Sequence, residues 1–341
     1  MITPNERRAV PGAPATLTLV AACLAAAGCG AASMKADAGT AARDWERFPA
    51  IVSLSGAIRI DVIGDLHGDP VVTNQLLAAA GLIPADATPV WTGGQDVLVV
   101  TGDVIDKGAQ ATPIIDLLSA LEPQAQAAGG RVVVTLGNHE AEFMADPSDD
   151  KSSAFQGELT SLGLDPAGVA AGRSTYGQWL ATRPVAALID GWFFSHAGNS
   201  QGLGVAELAT DFRALFDAQG VPHFDASFLI GDDSLLEAES WWFGADRAAT
   251  LGKLDFNLAA LAADHLVFGH DPGAIPFPDD PAGTRLQGQM VARYQGRIFL
   301  IDVGMSYAVG YSAGALLRIT PGAAPTASEL FVDGTVAPLW P

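Results

Sequence analysis

Three apolar, β-rich runs in the first half of the chain end in the same kind of turn. Ala57–Ile63 leads into Gly64-Asp65-Leu66-His67-Gly68-Asp69, and Asp96–Thr101 into Gly102-Asp103-Val104-Ile105-Asp106-Lys107-Gly108. Arg131–Leu136 leads into Gly137-Asn138-His139-Glu140. Helical spacing follows the first two turns, over Val71–Ala80 and Ala111–Ala128, the second stretch being stopped by Gly129-Gly130. Strand, turn and helix in repetition, with the motif Asp residues Asp65 and Asp103 38 positions apart, is the rhythm of βαβ units. Turns at the carboxyl ends of such strands converge on one crevice.

The residues in those turns are metal ligands by type. Asp65 and His67, one residue apart, can turn both side chains toward one ion. Asp103 can bridge two ions through its two carboxylate oxygens, and Asn138 supplies a neutral oxygen. His196, after the run Ala187–Phe194, and His270, after Leu266–Phe268, arrive from later strands and complete a second ion's ligands. Three imidazoles, one amide and two carboxylates suit Mn, Fe or Zn rather than Ca. Two such ions about 3.5–4 Å apart clamp an in-line displacement at phosphorus and make hydroxide available near neutral pH. The constellation therefore points to metal-assisted phosphoester hydrolysis. His139 is expected to protonate the leaving-group oxygen, Asp106 to orient His139, and Lys107 to neutralise a phosphate oxygen.

Composition narrows the alternatives. The chain has 18 basic and 38 acidic residues, a formal net charge of −20. Nucleic acid is not an expected partner, because phosphate-backbone neutralisation needs clustered Lys and Arg. Both cysteines, Cys23 and Cys29, fall in the N-terminal segment, so catalysis by a cysteine nucleophile and zinc–sulfur ligation are excluded from the domain.

That segment reads as targeting rather than fold. Arg7 and Arg8 precede an apolar run from Ala15 to Ala27, short for a bilayer span, and Leu24-Ala25-Ala26-Ala27-Gly28-Cys29 resembles a bacterial lipobox. Residues 1–29 are expected to be a lipoprotein signal, with an ordinary secretory signal as the alternative. Residues 30–47, rich in Ala, Gly and Ser, are expected to form a tether. The reading is an exported protein of the bacterial cell envelope, attached to membrane only through that lipid, in the periplasm or at the outer membrane.

Gly-Asp-x-His-Gly, Gly-Asp-x-x-Asp-Lys-Gly and Gly-Asn-His-Glu, followed by lone histidines, resemble the calcineurin-like metallophosphoesterases. Among these the chain is similar to the PPP phosphoprotein phosphatases. Ile301-Asp302-Val303-Gly304-Met305-Ser306 before Gly314-Ala315-Leu316 further resembles the bacterial Shewanella-like group. The resemblance covers about residues 58–320. It implies an α/β fold of two mixed β-sheets packed as a sandwich and flanked by helices. It also implies the six ligands named above, with His139 and Asp106 as acid and partner. The chain departs from the family in three places: Lys107 stands where Arg is usual, Gly244 follows Trp242-Phe243 where Arg is usual, and Ala197 replaces a Gly. Arg247 is the nearest candidate to replace the missing Arg.

The expected activity is dinuclear hydrolysis of phosphomonoesters, of phosphorylated Ser, Thr or Tyr on proteins or of small phosphoesters. A nucleotide or dinucleoside polyphosphate hydrolase and a non-catalytic, metal-containing envelope binding module are the alternatives. Along the rest of the domain (48–341), residues 145–172 read as a loop-rich cap and 199–263 as mainly helical. Arg297–Val303 and Gly314–Thr320 read as a hairpin. Glu140 reads as a helix N-terminal charge, Trp241 and Trp242 as core, and His223 and His265 as ordinary surface or partly buried residues.

Overall fold

The computed structural model describes residues 43–217, 220–224 and 228–341. The expected signal and residues 30–42 of the expected tether lie outside the described residues. The last tether positions do not hang free: Arg43 is 9% exposed and donates to the carbonyls of Phe48, Pro49, Ala181, Thr182 and Arg183.

After β1 (Ile51–Leu54), the three motif-bearing runs form short parallel strands: β2 (Ile60–Ile63), β3 (Val97–Val100) and β4 (Arg131–Val134). Every residue of β2 and β3 is buried; β3 is apolar throughout, as a strand covered on both faces should be, and the one polar residue of β2, Asp61, is satisfied by the Arg318 guanidinium at 2.7 Å. Each motif then turns into a helix: α1 (Pro70–Ala79), α2 (Ala111–Ala127) and α3 (Asn138–Ala145). The start of α1 is fixed by Pro70 in its first turn and by the Asp69 carboxylate, which accepts from the Val71 and Val72 N–H groups.

The expected loop-rich cap is mostly helical. A 3₁₀ turn at Asp150–Ser152 leads into α4 (Ser153–Ser161), followed by α5 (Pro166–Ala170) and α6 (Thr175–Ala181). Asp149 and Asp165 cap the 3₁₀ turn and α5 through their side chains; turn-forming residues here start helices rather than interrupt them. The run Ala187–Phe194 is two antiparallel strands, β5 (Ala186–Ile189) and β6 (Trp192–Ser195). They reverse at Asp190-Gly191, both at positive φ (48° and 84°), as a two-residue hairpin turn requires.

Among the described residues, 199–263 hold α7 (Val205–Ala214) and α8 (Arg247–Leu261), with turns between. After β7 (His265–Phe268) come β8 (Val291–Arg293), β9 (Ile298–Leu300), β10 (Ala315–Thr320), β11 (Thr326–Phe331) and β12 (Val336–Trp340). β9 and β10 are not a hairpin. β9 runs parallel to β7, whereas β10 lies antiparallel to β2.

Two six-stranded mixed sheets result, ordered β1-β5-β6-β7-β9-β8 and β12-β11-β10-β2-β3-β4. They pack as a sandwich flanked by helices. Ring contacts tie the sheets: Trp192 on β6, an inner strand of the first, meets Trp340 on β12, the edge strand of the second, with centroids 6.1 Å apart.

Candidate metal centre

Each motif follows the carboxyl end of its strand, and the structure brings all six expected ligands together. The backbone there is unusual: His67, Asp103, Asp106, Lys107 and His270 all have positive φ, between 41° and 72°. Five non-glycine residues in this region mark a site whose geometry is enforced by its surroundings. Gly68 and Gly108 permit close contact between the first two motif loops, since a Cβ on either would collide with the other loop's backbone. The His67 N–H donates to the Asp103 carbonyl at 2.8 Å and the Gly68 N–H to the Val104 carbonyl at 2.9 Å.

Asp103 is central. Its Oδ2 lies 3.6 Å from His67 Nε2 and 3.9 Å from His139 Nε2, and its Oδ1 lies 3.3 Å from His196 Nε2. Asp65 Oδ2 is 3.9 Å from His67 Nε2, and Asn138 Oδ1 is 3.0 Å from His196 Nε2. His270 Nδ1 stands 3.3 Å from His196 Nε2, while its backbone N–H donates to the Asp65 carboxylate at 3.2 Å. Two three-residue groups, His67–Asp103–His139 and Asp65–Asp103–His196, have ligand atoms within 4.8 Å of one another. His139 thus joins the first group, although its motif position marks it as an acid.

Outer hydrogen bonds aim the imidazoles. His67 Nδ1 lies 3.2 Å from the Ile105 carbonyl and His196 Nδ1 lies 2.8 Å from the Thr101 carbonyl. Donation there makes Nε2 the metal-facing atom of each ring; burial lowers His196, but Asp103 and Asp65 raise it to about 10, so a metal would displace the proton on its Nε2. Burial lowers His67 to about 3 and His270 to about 4, so both are neutral ligands near pH 7. Burial pushes Asp103 up, but the His196 and His139 charges outweigh it and hold Asp103 well below the usual carboxylate range. Burial raises Asp65 to about 6 against the pull of His196. Imidazole and carboxylate donors, no sulfur, and two buried carboxylates fit divalent Mn, Fe or Zn.

The remaining site residues sit beside this cluster. His139 Nδ1 and Asp106 Oδ2 face each other at 3.7 Å, both buried and without another hydrogen-bond partner. Asp106 Oδ1 accepts the Phe155 N–H at 3.1 Å, so α4 of the cap fixes the carboxylate. Lys107 Nζ reaches His67 Nε2 at 2.9 Å.

Three residues do more than their sequence context suggested. Glu140 accepts four backbone N–H groups, from Asp103, Val104, Ile105 and Gly137, at 2.8–3.0 Å; it pins the Asp103 loop to the start of α3. Asp302 is fully buried, and burial together with Asp65 raises its carboxyl well above its ordinary value. Arg285, also fully buried, donates to the Asp271 and Asp302 carbonyls and so ties the loop after His270 to the end of β9. A Glu three residues into a helix, an Asp after a strand and an Arg in a turn carry no local mark of such roles. His265 is buried against Trp192 at 3.9 Å, whereas His223 is exposed beside Asp217.

The aromatic pair is divided in role. Trp242 is core, stacked on Phe277. Trp241 donates to the Ala197 carbonyl at 2.9 Å and so braces the His196 loop. Arg247 does not stand in for the missing Arg. Its guanidinium donates to the Asp279 carbonyl at 2.7 Å and lies over the Tyr294 ring.

Comparison with known proteins agrees with this geometry. The calcineurin-like phosphoesterase family model matches residues 58–274, and the chain belongs to that family. It is a metal-dependent phosphatase, with phosphatases among its relatives. An uncharacterised protein of Schizosaccharomyces pombe is 28% identical over 306 residues, 81% of this chain and 82% of that protein. Shewanella-like protein phosphatase 2 of Arabidopsis thaliana is 42% identical over 82 residues, 24% of this chain and 20% of that one. The cold-active protein-tyrosine phosphatase of a psychrophilic Shewanella superposes with a TM-score of 0.66 at 20% identity, covering 85% of this chain and 83% of its own.

Proposed function

We propose that this chain hydrolyses phosphomonoesters, with phosphorylated Ser, Thr or Tyr side chains of proteins as the substrate class, at a centre of two metal ions. The observation that carries the reading is the division of Asp103, whose Oδ1 faces His196 while Oδ2 faces His67 and His139. A carboxylate that bridges through both oxygens turns them to separate nitrogen sets in this way. Asp65 and His67 would hold one ion with Asp103; Asn138, His196 and His270 would hold the other. When bound, the metals supply an activated water near neutral pH and draw charge from the phosphoryl oxygens.

The chain's own groups do the rest. Burial opposes protonation of His139, but Asp103 and Asp106 together raise its imidazole above the ordinary histidine value. This favours the protonated imidazole. Asp106 at Nδ1 keeps the ring turned so that Nε2, on the metal side, gives its proton to the departing oxygen. Lys107 meets a phosphoryl oxygen as a point charge, without the two-pronged grip of an Arg. The structural neighbours that are a protein-tyrosine phosphatase of Shewanella and a protein serine/threonine phosphatase of Saccharomyces cerevisiae (TM-score 0.54) support protein substrates. Export to the cell envelope on a lipid at Cys29 completes the proposal and rests on the sequence of residues 1–29.

The test is hydrolysis of p-nitrophenyl phosphate by Mn-loaded protein lacking residues 1–29, with His139→Ala alongside, followed by phosphopeptides against nucleotides. Turnover that needs both metal and His139 and favours phosphopeptides is the expected result. Preference for nucleotides overturns the substrate class, and no turnover with two metals bound overturns the catalytic reading.

A further inference from the structure

Away from the metal centre, a cavity of about 600 Å³ opens where the two sheets leave their edges uncovered, between β4 and β1 and walled by α2 and α6. Its size is that of a small-molecule site. Its charge is opposite to that of the chain: Arg43, Arg47, Arg131 and Arg183 line it against only Asp44 and Glu122, in a protein of net charge −20.

The inner pair of arginines is built in. Arg183 pairs with Glu122 at 2.5 Å and lies 4.2 Å from the Trp179 ring centroid. Arg43 spends its donors on five backbone carbonyls and has no carboxylate partner among the described residues. Burial, and then the neighbouring Arg183 guanidinium, lower Arg43 to about 9, so this wall is short of negative charge.

The outer pair is uncommitted. Among the described residues neither Arg47 nor Arg131 has an ion-pair or side-chain hydrogen-bond partner; Arg47 only rests on the Phe48 ring at 4.9 Å. The Asp44 carboxylate accepts the Glu46 and Arg47 backbone N–H groups, not the guanidinium. Between the charged ends Val132, Val134 and Trp179 give the lining an apolar stretch, with Ser119, Gln126 and Gln178 beside it.

We propose that this cavity binds a small organic dianion with an apolar body, its charged groups held by Arg47 and Arg131. Such a ligand supplies the negative charge the wall lacks and covers the free edge of β4. The site has a route to the metal centre: Pro184 lines the cavity, and its carbonyl accepts the Leu136 N–H at 2.9 Å, two residues before Asn138.

Isophthalate and succinate titrated calorimetrically into the full, Mn-loaded chain with saturating orthovanadate test the proposal. One-to-one binding of isophthalate with a Kd below about 1 mM is expected. Affinity should fall at least about tenfold in the Arg47→Gln/Arg131→Gln double variant, since two charge-assisted contacts go. Turnover of p-nitrophenyl phosphate by that variant, with no ligand added, reports that it is folded. Absence of binding by either dianion, displacement by orthovanadate, or undiminished affinity in the folded double variant would overturn it.

Discussion

Glu140→Gln isolates the contribution of one buried carboxylate to the whole centre. Each Glu140 oxygen accepts two N–H groups: Oε2 from Asp103 and Gly137, Oε1 from Val104 and Ile105. Glutamine keeps the shape but offers one acceptor oxygen, so two of the four donors face an NH₂ group. A buried donor left without an acceptor costs about 1–3 kcal/mol, giving a loss of roughly 2–6 kcal/mol against a total stability of about 5–15. An opposing effect exists: burial and the nearby Asp103 charge push the Glu140 carboxyl up, so removing its charge relieves some repulsion. The hydrogen bonds should win, because they are short and fully buried while one neighbouring charge is shared with three histidines. At about 2 °C per kcal/mol for a domain of this size, the melting midpoint should fall by roughly 4–12 °C. Calorimetry on the metal-loaded variant measures this, and elemental analysis after dialysis should show reduced metal content. A shift under about 2 °C with full metal retention would refute the assignment of Glu140 as the pin of the Asp103 loop.

Further outcomes follow from the same geometry. His139→Ala should retain metal and lose about 10²–10⁴-fold in turnover of p-nitrophenyl phosphate; near wild-type turnover would remove it as the acid. Asp103→Asn should lower occupancy of both metals by elemental analysis, and full retention of both would sink the bridging assignment. Gly244→Arg should not restore phosphate affinity, because a Cβ there drives into the Thr250 backbone N and Ala249; a melting midpoint lowered by several degrees is expected, about 1–3 kcal/mol of overpacking, and an unchanged one refutes it. Burial lowers the pKa of His265, so the unfolded chain binds a proton there that the folded one does not. Stability should therefore be full above the ordinary histidine value of 6.5 and fall as pH drops from there toward the depressed folded value. The wild-type-minus-His265→Phe difference in denaturation free energy between pH 7.5 and 5 reads this, and a flat difference would contradict it.

The clustering of the six candidate residues was legible because each follows a strand at a turn, and a parallel strand announces itself by continuous Val and Ile. What was not legible depends on distant partners. Arg297–Val303 and Gly314–Thr320 are neighbours in sequence, yet β9 finds β7 and β10 finds β2; no local pattern says which sheet a strand joins. The β11–β12 pair is half-exposed and includes Glu329 and Pro338, so it lacks the apolar continuity that marked the inner strands. The break within Ala187–Phe194 rests on two residues at positive φ, and the helices after Asp149 and Asp165 on side-chain caps that also suit loops. Arg247 was drawn to the site by proximity in sequence, whereas Asp279 and Tyr294 hold it elsewhere.

The six candidate ligands are divided between the sheets. Asp65 and His67 follow β2, Asp103 follows β3 and Asn138 follows β4, while His196 and His270 follow β6 and β7 of the other sheet. A nascent chain that has reached Asn138 carries every oxygen donor but only one imidazole of the set. The strand that closes the second sheet onto β2 begins still later, at Ala315. Neither sheet alone carries the full candidate set, so its donors come together only once both layers are assembled.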